Sequence, residues 1–338
     1  MHRIIFIIGL VLLVGACKSS QTAAVDKTEK VENILTKVEK QVLASDSLIL
    51  DGEKHFENLR QLTFGGENAE AYFSYDNKQL VFQQTNKANG IACDQIYVAN
   101  IPTSPGEKFT PKLVSTGMGR TTCSYFMKDN AQIIFASTHD FDEDCPAVPD
   151  RSVIKKYVWP IYESFELYRR DIETDSLIRM TNNNYYDAEA TLSPDGSKIV
   201  YTSIKSGDLE LYVMNADGSN EIQITSDLGY DGGAFFSPDG KQLVFRASRP
   251  NTEAEIKEYK DLLTQNMVAP TNMEIYTVNI DGSNLQQITQ LGKANWAPYF
   301  HPSGNKIIFS SNHQTERGFP FNLYIINTDG TGLEKITE

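Results

Sequence analysis

Two histidines and two arginines carry the clearest potential for chemistry in this chain. His139 and His313 each follow a segment rich in β-branched and aromatic residues. An imidazole in such a place can act as a general base, or it can bind a metal ion beside a carboxylate. Arg120 and Arg246 can hold an anionic group of a substrate. These four residues are candidates for a hydrolase or lyase site that acts on a peptide or an acidic sugar.

The established catalytic motifs are missing from the sequence. It contains no Gly-x-Ser-x-Gly nucleophile elbow, no His-Glu-x-x-His zinc motif and no phosphate-binding loop. Its Asp-Gly pairs lack the ligand spacing of a calcium loop. Binding is therefore the first expectation and catalysis the alternative, and the sequence predicts neither a cofactor nor a metal ion.

A wider set of polar and aromatic residues stands near the ends of strand-like segments. Charges of both signs beside aromatic rings suit a zwitterionic or polyhydroxyl ligand, such as a peptide or a glycan. Each acidic residue could instead cap a loop or pair with an arginine in a structural role. The predicted ligand-binding set is Glu70, Arg120, His139, Asp187, Glu189, Asp231, Arg246, Asn295, Trp296 and His313.

A repeated turn predicts the elements that position these residues. Ser-Pro-Asp-Gly, or a variant of it, occurs five times between two alternating apolar segments, which predicts pairs of antiparallel strands. A third segment then closes on Asp-Gly, and a fourth ends in Ile-Thr, so the repeating unit is a four-stranded meander. The turns occupy residues 74–77, 127–130, 193–196, 237–240 and 301–304.

The three signature features of this repeat resemble those of the WD40-like repeat in TolB-type propellers. They are the Ser-Pro-Asp-Gly turn, the Asp-Gly hairpin and the closing Ile-Thr, and they cover residues 59–338. The resemblance implies an all-β, TolB-like β-propeller in which each meander is one blade. TolB itself carries an additional α/β domain before its propeller, so its partners are not carried over to this chain.

Strand counting predicts the number of blades. Six segments have the pattern of fourth strands, but only five complete sets of the first three strands are present. Residues 59–63 fit as the outer strand that closes a sixth blade, because a closed ring leaves no edge unpaired. We therefore expect a six-bladed ring with five complete blades and a truncated sixth, and the alternative is a five-bladed ring with a spare strand.

Three insertions are predicted on one face of the ring. Antiparallel order places all loops between second and third strands on the same side, and the insertions at 138–163, 249–271 and 312–321 belong to this class. The stretch 253–263 has the pattern of a short amphipathic helix. Loops on a rigid scaffold commonly carry binding function, so this face is the predicted recognition face.

The N-terminus has the pattern of a targeting segment. An apolar run over residues 4–14 is too short to span a bilayer, and small residues then lead to Cys17, which resembles a bacterial lipoprotein box. The predicted domains are a lipoprotein signal peptide at 1–17, a tether at 18–56 with a helix at 31–44, and the propeller at 57–338. We expect a lipid-anchored envelope protein, with Lys18 resembling the pattern of outer-membrane sorting; an ordinary signal peptide is the alternative.

Three further cysteines belong to the propeller region. Cys93, Cys123 and Cys145 are predicted to gather on the recognition face, and an oxidising compartment favours one disulfide among them. The two pairings expected are Cys123 with Cys145 and Cys93 with Cys123. A thiolate metal site is the alternative.

The overall charge limits the partners. The 338 residues include 44 acidic and 31 basic side chains, which gives a formal net charge of -13. A negative surface repels phosphate backbones, so nucleic acid is not expected as a partner. The expected partners are an envelope protein, a peptide or a glycan, with the membrane reached through the lipid anchor, and the chain is expected to be a monomer.

Overall fold

The computed structural model describes residues 48–104, 106–150, 153–316 and 320–338. Its backbone contacts divide the chain into Met1–Leu48 with Glu57–Gln61, and Ile49–Phe56 with Leu62–Glu338. The described strands all belong to the second unit. The predicted signal peptide, the predicted lipidation site Cys17 and the predicted helix at 31–44 lie outside the described residues.

Five four-stranded antiparallel sheets, here called blades 1 to 5, follow one another along the chain with their strands in sequence order. Blade 1 contains β1 (Glu67–Phe73), β2 (Gln79–Asn86), β3 (Ile91–Asn100) and β4 (Lys112–Leu113). Blade 2 contains β5 (Thr121–Phe126), β6 (Gln132–Ser137), β8 (Glu166–Asp171) and β9 (Leu177–Arg179). Blade 3 contains β10 (Asp187–Leu192), β11 (Lys198–Ser203), β12 (Glu210–Asn215) and β13 (Ile222–Gln223). Blade 4 contains β14 (Asp231–Phe236), β15 (Gln242–Ala247), β17 (Glu274–Asn279) and β18 (Gln286–Gln287). Blade 5 contains β19 (Asn295–Phe300), β20 (Lys306–Ser311), β21 (Asn322–Asn327) and β22 (Glu334–Lys335).

The repeated turn owes its composition to local hydrogen bonds. In the copy that begins at Ser193, the Ser193 hydroxyl donates to Asp195 Oδ1 over 2.6 Å and accepts from the Lys198 amide over 2.9 Å. Gly196 takes a φ of 76°, in the left-handed region that glycine enters at little cost. Ser237 and Asp239 repeat the first contact at 2.6 Å, so the turn that predicted the repeat also fixes the hairpin geometry.

The closing threonine of each repeat is equally structural. Its hydroxyl accepts a hydrogen bond from a backbone amide of the third strand, at 2.9 Å for Thr181 and Thr225 and at 2.8 Å for Thr289. This bond satisfies an amide near the point where the short outer strand ends, and a buried amide without a partner would be costly.

The hydrophobic core is divided into layers between consecutive blades. One layer joins Val81 and Ile96 of blade 1 to Phe126 and Phe135 of blade 2. Corresponding layers join blades 2 and 3, blades 3 and 4, and blades 4 and 5. Face-to-face packing of twisted sheets is thus the main source of apolar burial.

The prediction of six blades is wrong for the described residues, which form five. Residues 59–63, expected to supply a sixth blade with its outer strand, adopt no strand. Close upstream, the chain instead contacts the last blade through side chains: Lys54 pairs with Glu334 over 2.7 Å, and the Glu338 amide donates to Glu53 over 3.2 Å. Side-chain pairing needs no strand register, so the hydrophobic pattern of 59–63 did not translate into a sheet.

The two ends of the array are less buried than its middle. The inner strand β10 of blade 3 is buried along its whole length, whereas β1 is exposed at nearly every position. Phe73, at the end of β1, is 60% exposed. A blade between two neighbours has both faces covered, and blades 1 and 5 each have one neighbour in this array.

The long insertions meet on one face, as predicted. The insertion of blade 2 contributes β7 (Trp159–Pro160) and that of blade 4 contributes β16 (Met267–Val268), and these two strands pair with each other. The blade 4 insertion also holds α1 (Glu253–Leu263), which confirms the predicted helix. Thr252 and Glu255 form a capping box at its start, which satisfies amide groups left unpaired by the first turn. No helix in the described ranges is long and apolar enough to cross a bilayer.

The predicted disulfide pairings are both wrong. Cys93 bonds to Cys145, with Cα atoms 5.9 Å apart, and Cys123 keeps a free thiol. The bond joins the start of blade 1's third strand to the blade 2 insertion, so it pins that insertion as expected, but from a different partner. Cys123 is unavailable because its side chain belongs to the central channel.

Candidate functional site

The innermost strand of every blade contains a β-bulge. The register shifts between Ala69 and Tyr72 in β1, and at the corresponding points of β5, β10, β14 and β19. One residue at each bulge has a positive φ between 48° and 61°. A bulge redirects its side chain, and here it does so once per blade. These five bulge residues are Glu70, Cys123, Glu189, Gly233 and Ala297.

All five bulge residues line one narrow cavity of about 40 Å³ in the central channel. Each of them stands four residues before the first residue of the repeated turn, for example Glu189 before Ser193. The channel therefore receives one residue from each blade at a fixed place in the repeat.

A larger cavity of about 670 Å³ shares Glu70, Cys123, Glu189, Arg246 and Ala297 with the narrow one. It opens where the insertions meet. Its volume is in the range of small-molecule and peptide-side-chain pockets. Its other lining residues come from β1, from the start of blade 2, from the blade 2 insertion and from blade 5, and they include Glu67, Asp94, Arg120, Tyr157, Trp159, Tyr162, Tyr186 and Trp296.

Aromatic side chains form one wall of this larger cavity. The ring centroids of Trp159 and Trp296 are 5.3 Å apart, and Tyr157 stacks on Trp296 at 6.2 Å. Phe321, from the blade 5 insertion, stacks on Trp296 at 4.5 Å, and the Trp296 indole donates to the Pro270 carbonyl of the blade 4 insertion over 2.9 Å. Three insertions of the chain thus converge on Trp296, and their packing holds the aromatic wall in place.

A buried ion pair lies where the two cavities meet. Arg246 is 7% exposed, and its Nη2 atom contacts Glu189 Oε1 and donates to the Tyr230 hydroxyl over 2.8 Å. Glu189 also accepts from Tyr230 over 2.8 Å and from Thr202 over 2.9 Å. A Cβ on Gly233 would lie 1.8 Å from Arg246 Nη1, so only glycine leaves room for this guanidinium.

This network keeps Glu189 ionised. Burial by itself would raise the pKa of Glu189, but the Arg246 guanidinium and the hydrogen bonds from Tyr230 and Thr202 hold the pKa below its ordinary value. Burial alone would lower the pKa of Arg246, and Glu189 raises it. The pair is therefore a salt bridge across the neutral pH range.

Arg120 is also paired. Its Nη1 atom lies 2.5 Å from Asp94 Oδ2, and Asp94 Oδ1 accepts from the Thr85 hydroxyl over 2.7 Å. The Nε atoms of Arg120 and Arg246 have no hydrogen-bond partner among the described residues, but both are buried from solvent. Neither arginine thus presents an uncommitted charge to the cavity.

Cys123 places its thiol in the channel in the protonated form. Burial, together with the nearby carboxylates of Glu70 and Glu189, raises the pKa of Cys123 well above its ordinary value. Because the thiolate is the nucleophilic and metal-binding form, this environment argues against both roles.

His139 and His313 do not line the cavity. Each ring stacks on a tyrosine of its own blade, His139 on Tyr168 at 4.4 Å and His313 on Tyr324 at 4.6 Å. Each Nδ1 atom is hydrogen-bonded to a serine two residues earlier, at 2.8 and 2.9 Å. Burial lowers the pKa of both imidazoles. Their shared geometry is that of a repeated packing motif, and it keeps the two rings in separate blades.

Asp187, Asp231 and Asn295 occupy the junctions between blades. Each stands two residues before a bulge residue, is fully buried, and donates its backbone amide to the carbonyl just before the third strand of the preceding blade. Their side chains are bound by neighbours, as in the 2.8 Å bond from Asn183 to Asp187 and the 2.8 Å bond from Asn295 to the Met273 carbonyl. These three residues are not among those that line the cavity.

A cluster of buried carboxylates lies at one such junction. Burial raises the pKa of Asp231 to about 6, although Arg249 lies 3.0 Å from its Oδ2 atom. Burial and the charge of Asp231 raise the pKa of Glu210 to about 8. Glu210 Oε2 has no hydrogen-bond partner among the described residues. Glu210 therefore resists ionisation at neutral pH, which makes the junction sensitive to pH.

In the described part of the chain, no group of three or more His, Cys, Asp and Glu side chains is arranged to hold a metal ion. The carboxylates of the cavity are bound to arginines, hydroxyls or backbone amides, or are spread along β1.

Comparison with known proteins places this geometry in a family of folds. The sequence profile of the TolB β-propeller domain matches residues 148–256. The structure of a putative TolB from Agrobacterium tumefaciens superimposes with a TM-score of 0.56 at 20% identity, over 80% of each chain. The domain is a TolB-like β-propeller. The predicted resemblance is thereby confirmed for the fold.

Two further structures resemble this TolB-like propeller. TolB from Acinetobacter baumannii gives a TM-score of 0.57 at 17% identity, covering 81% of this chain and 55% of that one, so this chain spans about half the length of that protein. An oligogalacturonate lyase in complex with manganese gives 0.50 at 16% identity, covering 82% and 67%. A sequence comparison with curated proteins finds no match.

The TolB-like propeller thus brings together part of the predicted site. Glu70, Glu189, Arg120, Arg246 and Trp296 line the cavity, and their role in binding stays a prediction. Cys123, Glu67 and the aromatic residues of the blade 2 insertion were missed as site residues. The fixed spacing of four residues before the turn would have identified Cys123, and Trp159 was one of only two tryptophans.

The Glu189–Arg246 pair yields a prediction about stability. Replacing Arg246 with Met leaves Glu189 buried without its cation, so we expect the free energy of unfolding to fall by about 3 to 5 kcal/mol. Glu189→Gln is expected to have a comparable cost. The double variant should cost clearly less than the sum of the two, because it leaves no unpaired charge. Urea unfolding of the four proteins measures this, and additive losses would contradict the proposed coupling.

The Glu210 junction yields a prediction about pH. Its folded pKa of about 8 exceeds the ordinary value of 4.5, so the folded chain binds the proton more tightly than the unfolded chain. The stability that this group contributes is complete below the ordinary pKa and has been lost once the pH has risen through about 8. We expect Glu210→Gln to raise the free energy of unfolding at about pH 8.5 by about 1 to 3 kcal/mol, with a smaller gain at about pH 5.

Chemical unfolding at both pH values measures this difference. Glu173→Gln, at an exposed hairpin position, is the matched control and should show no pH-dependent gain. Equal effects of Glu210→Gln at the two pH values would show that the Glu210 carboxyl does not titrate in this range.

Proposed function

We propose that the protein is a lipid-anchored cell-envelope propeller that binds a peptide, a protein segment or a glycan on its loop-rich face. The single observation that carries this proposal is the cavity of about 670 Å³ at the channel mouth, where the insertions meet. Its fixed aromatic wall and its polar floor are the features of a recognition pocket. The TolB-like fold supplies a rigid scaffold for them.

The chemistry of the cavity supports binding rather than catalysis. Its described lining contains no histidine and no lysine, and its cysteine is held protonated. One similar structure is a lyase in complex with manganese, and the hypothesis of a lyase or hydrolase for this chain relied on His139 and His313. Both imidazoles are committed to serine and tyrosine neighbours outside the cavity.

The anchor is the second part of the proposal. Cys17 follows a short apolar run and small residues, the pattern of a lipoprotein box. A lipid on Cys17 would hold the propeller at a membrane surface through the 18–56 tether. Lys18, directly after this cysteine, favours sorting to the outer membrane.

Metabolic labelling with an alkyne fatty acid tests the anchor. We expect label on the full-length protein, none on Cys17→Ser, and transfer of that variant from the membrane to the soluble fraction. Cys123→Ser is the matched control and should keep the label, because its thiol lies inside the channel. Label on Cys17→Ser equal to that of the parent would contradict the lipoprotein assignment.

The cavity is tested by the loss of its central aromatic ring. The soluble Cys17→Ser chain is screened against peptide and glycan arrays, and the strongest ligand is measured by isothermal titration calorimetry. We expect Trp296→Ala to weaken binding about 30-fold, the effect of a hot-spot aromatic residue worth about 2 kcal/mol.

Phe141→Ala is the control for this experiment. Phe141 is an exposed aromatic residue of the blade 2 insertion and does not line the cavity, so its removal should leave affinity unchanged. Equal affinity of Trp296→Ala and the parent chain would place the ligand elsewhere on the molecule.

A further inference from the structure

The charges in the larger cavity are unequal. Four carboxylates line it, those of Glu67, Glu70, Asp94 and Glu189, against the guanidinium groups of Arg120 and Arg246 alone. Two of the carboxylates are paired with the arginines: Asp94 with Arg120 and Glu189 with Arg246. An excess of two negative charges remains, and it belongs to β1.

Glu67 and Glu70 have no cationic partner among the described residues. Glu70 accepts a hydrogen bond from the Tyr72 hydroxyl at 2.5 Å, and Glu67 lies exposed at the start of the strand. Both carboxylates line a cavity whose arginines are already paired within the protein. An anionic ligand would meet this excess charge and would have to break a salt bridge to gain a guanidinium.

The aromatic wall has the same electrostatic preference. The faces of indole and phenol rings carry negative charge density and attract cations. One cation of the protein already uses this wall, since the Arg246 guanidinium carbon lies 5.2 Å from the Trp159 ring centroid. Tyr157, Trp159 and Trp296 thus present an aromatic environment in the same cavity as the two unpaired carboxylates.

We propose that the cavity binds a cationic side chain of a peptide, lysine or arginine, between the Glu67 and Glu70 carboxylates and the aromatic wall of Tyr157, Trp159 and Trp296. This inference rests on the proposed binding function and selects a basic peptide among its candidate ligands. A cavity of about 670 Å³ accommodates such a side chain together with adjoining backbone.

The chain carries its own reporter for this test. Its two tryptophans, Trp159 and Trp296, both line the cavity, so intrinsic fluorescence responds to an occupant there. The probes are four capped pentapeptides of alanine with a central lysine, arginine, norleucine or glutamate, and a neutral disaccharide. They are titrated into the full-length protein in detergent.

The lysine and arginine peptides are expected to bind at least about tenfold more tightly than the norleucine and glutamate peptides. Glu67→Gln/Glu70→Gln should remove this preference, and raising the salt concentration should weaken it. Glu163→Gln/Glu253→Gln is the matched control, because both residues are exposed glutamates of the insertions outside the cavity lining.

The inference is overturned if the norleucine or glutamate peptide binds as tightly as the lysine peptide, if only the sugar binds, or if no cationic probe changes the fluorescence. These results leave the proposed binding function to be decided by the Trp296→Ala experiment, which uses whichever array ligand binds best. Preference for cations that survives in Glu67→Gln/Glu70→Gln would also overturn it.

Discussion

The left-handed bulge in each inner strand is the constraint on which the rest of this structure depends. A regular strand alternates its side chains between two faces, and both faces of an inner blade are needed for packing against neighbours. The extra residue at the bulge escapes that alternation and delivers one position to the channel from each blade. Blade packing and channel chemistry can therefore vary independently, and the channel lining is Glu70, Cys123, Glu189, Gly233 and Ala297.

Most of the fold was predictable because its signals are local. The turn at Ser193 is specified by contacts within six residues, and the capped helix Glu253–Leu263 by its own first turn. Repetition multiplied these signals, and the order of antiparallel strands then placed the insertions on one side. The presence of Glu70, Glu189 and Arg246 near the channel followed from the same argument.

The errors all concern partners that are distant in sequence. The Cys93–Cys145 bond spans 52 residues and depends on where a loop folds back, which the spacing of cysteines does not encode. The outer strand expected at 59–63 needed a partner edge, and the nearby chain pairs by side chains instead. The histidines looked catalytic because the tyrosines that stack on them, Tyr168 and Tyr324, come from another strand of the blade.

The strand pair formed by Trp159–Pro160 and Met267–Val268 has a mechanical meaning. In an array whose units touch only their neighbours, stability is a sum of adjacent interfaces, and the ends can open one unit at a time. This pair links blade 2 directly to blade 4 and passes over blade 3. Separation of any one of these three sheets must break the link, so they form a single cooperative block, and the recognition wall is built on the part of the molecule that opens last.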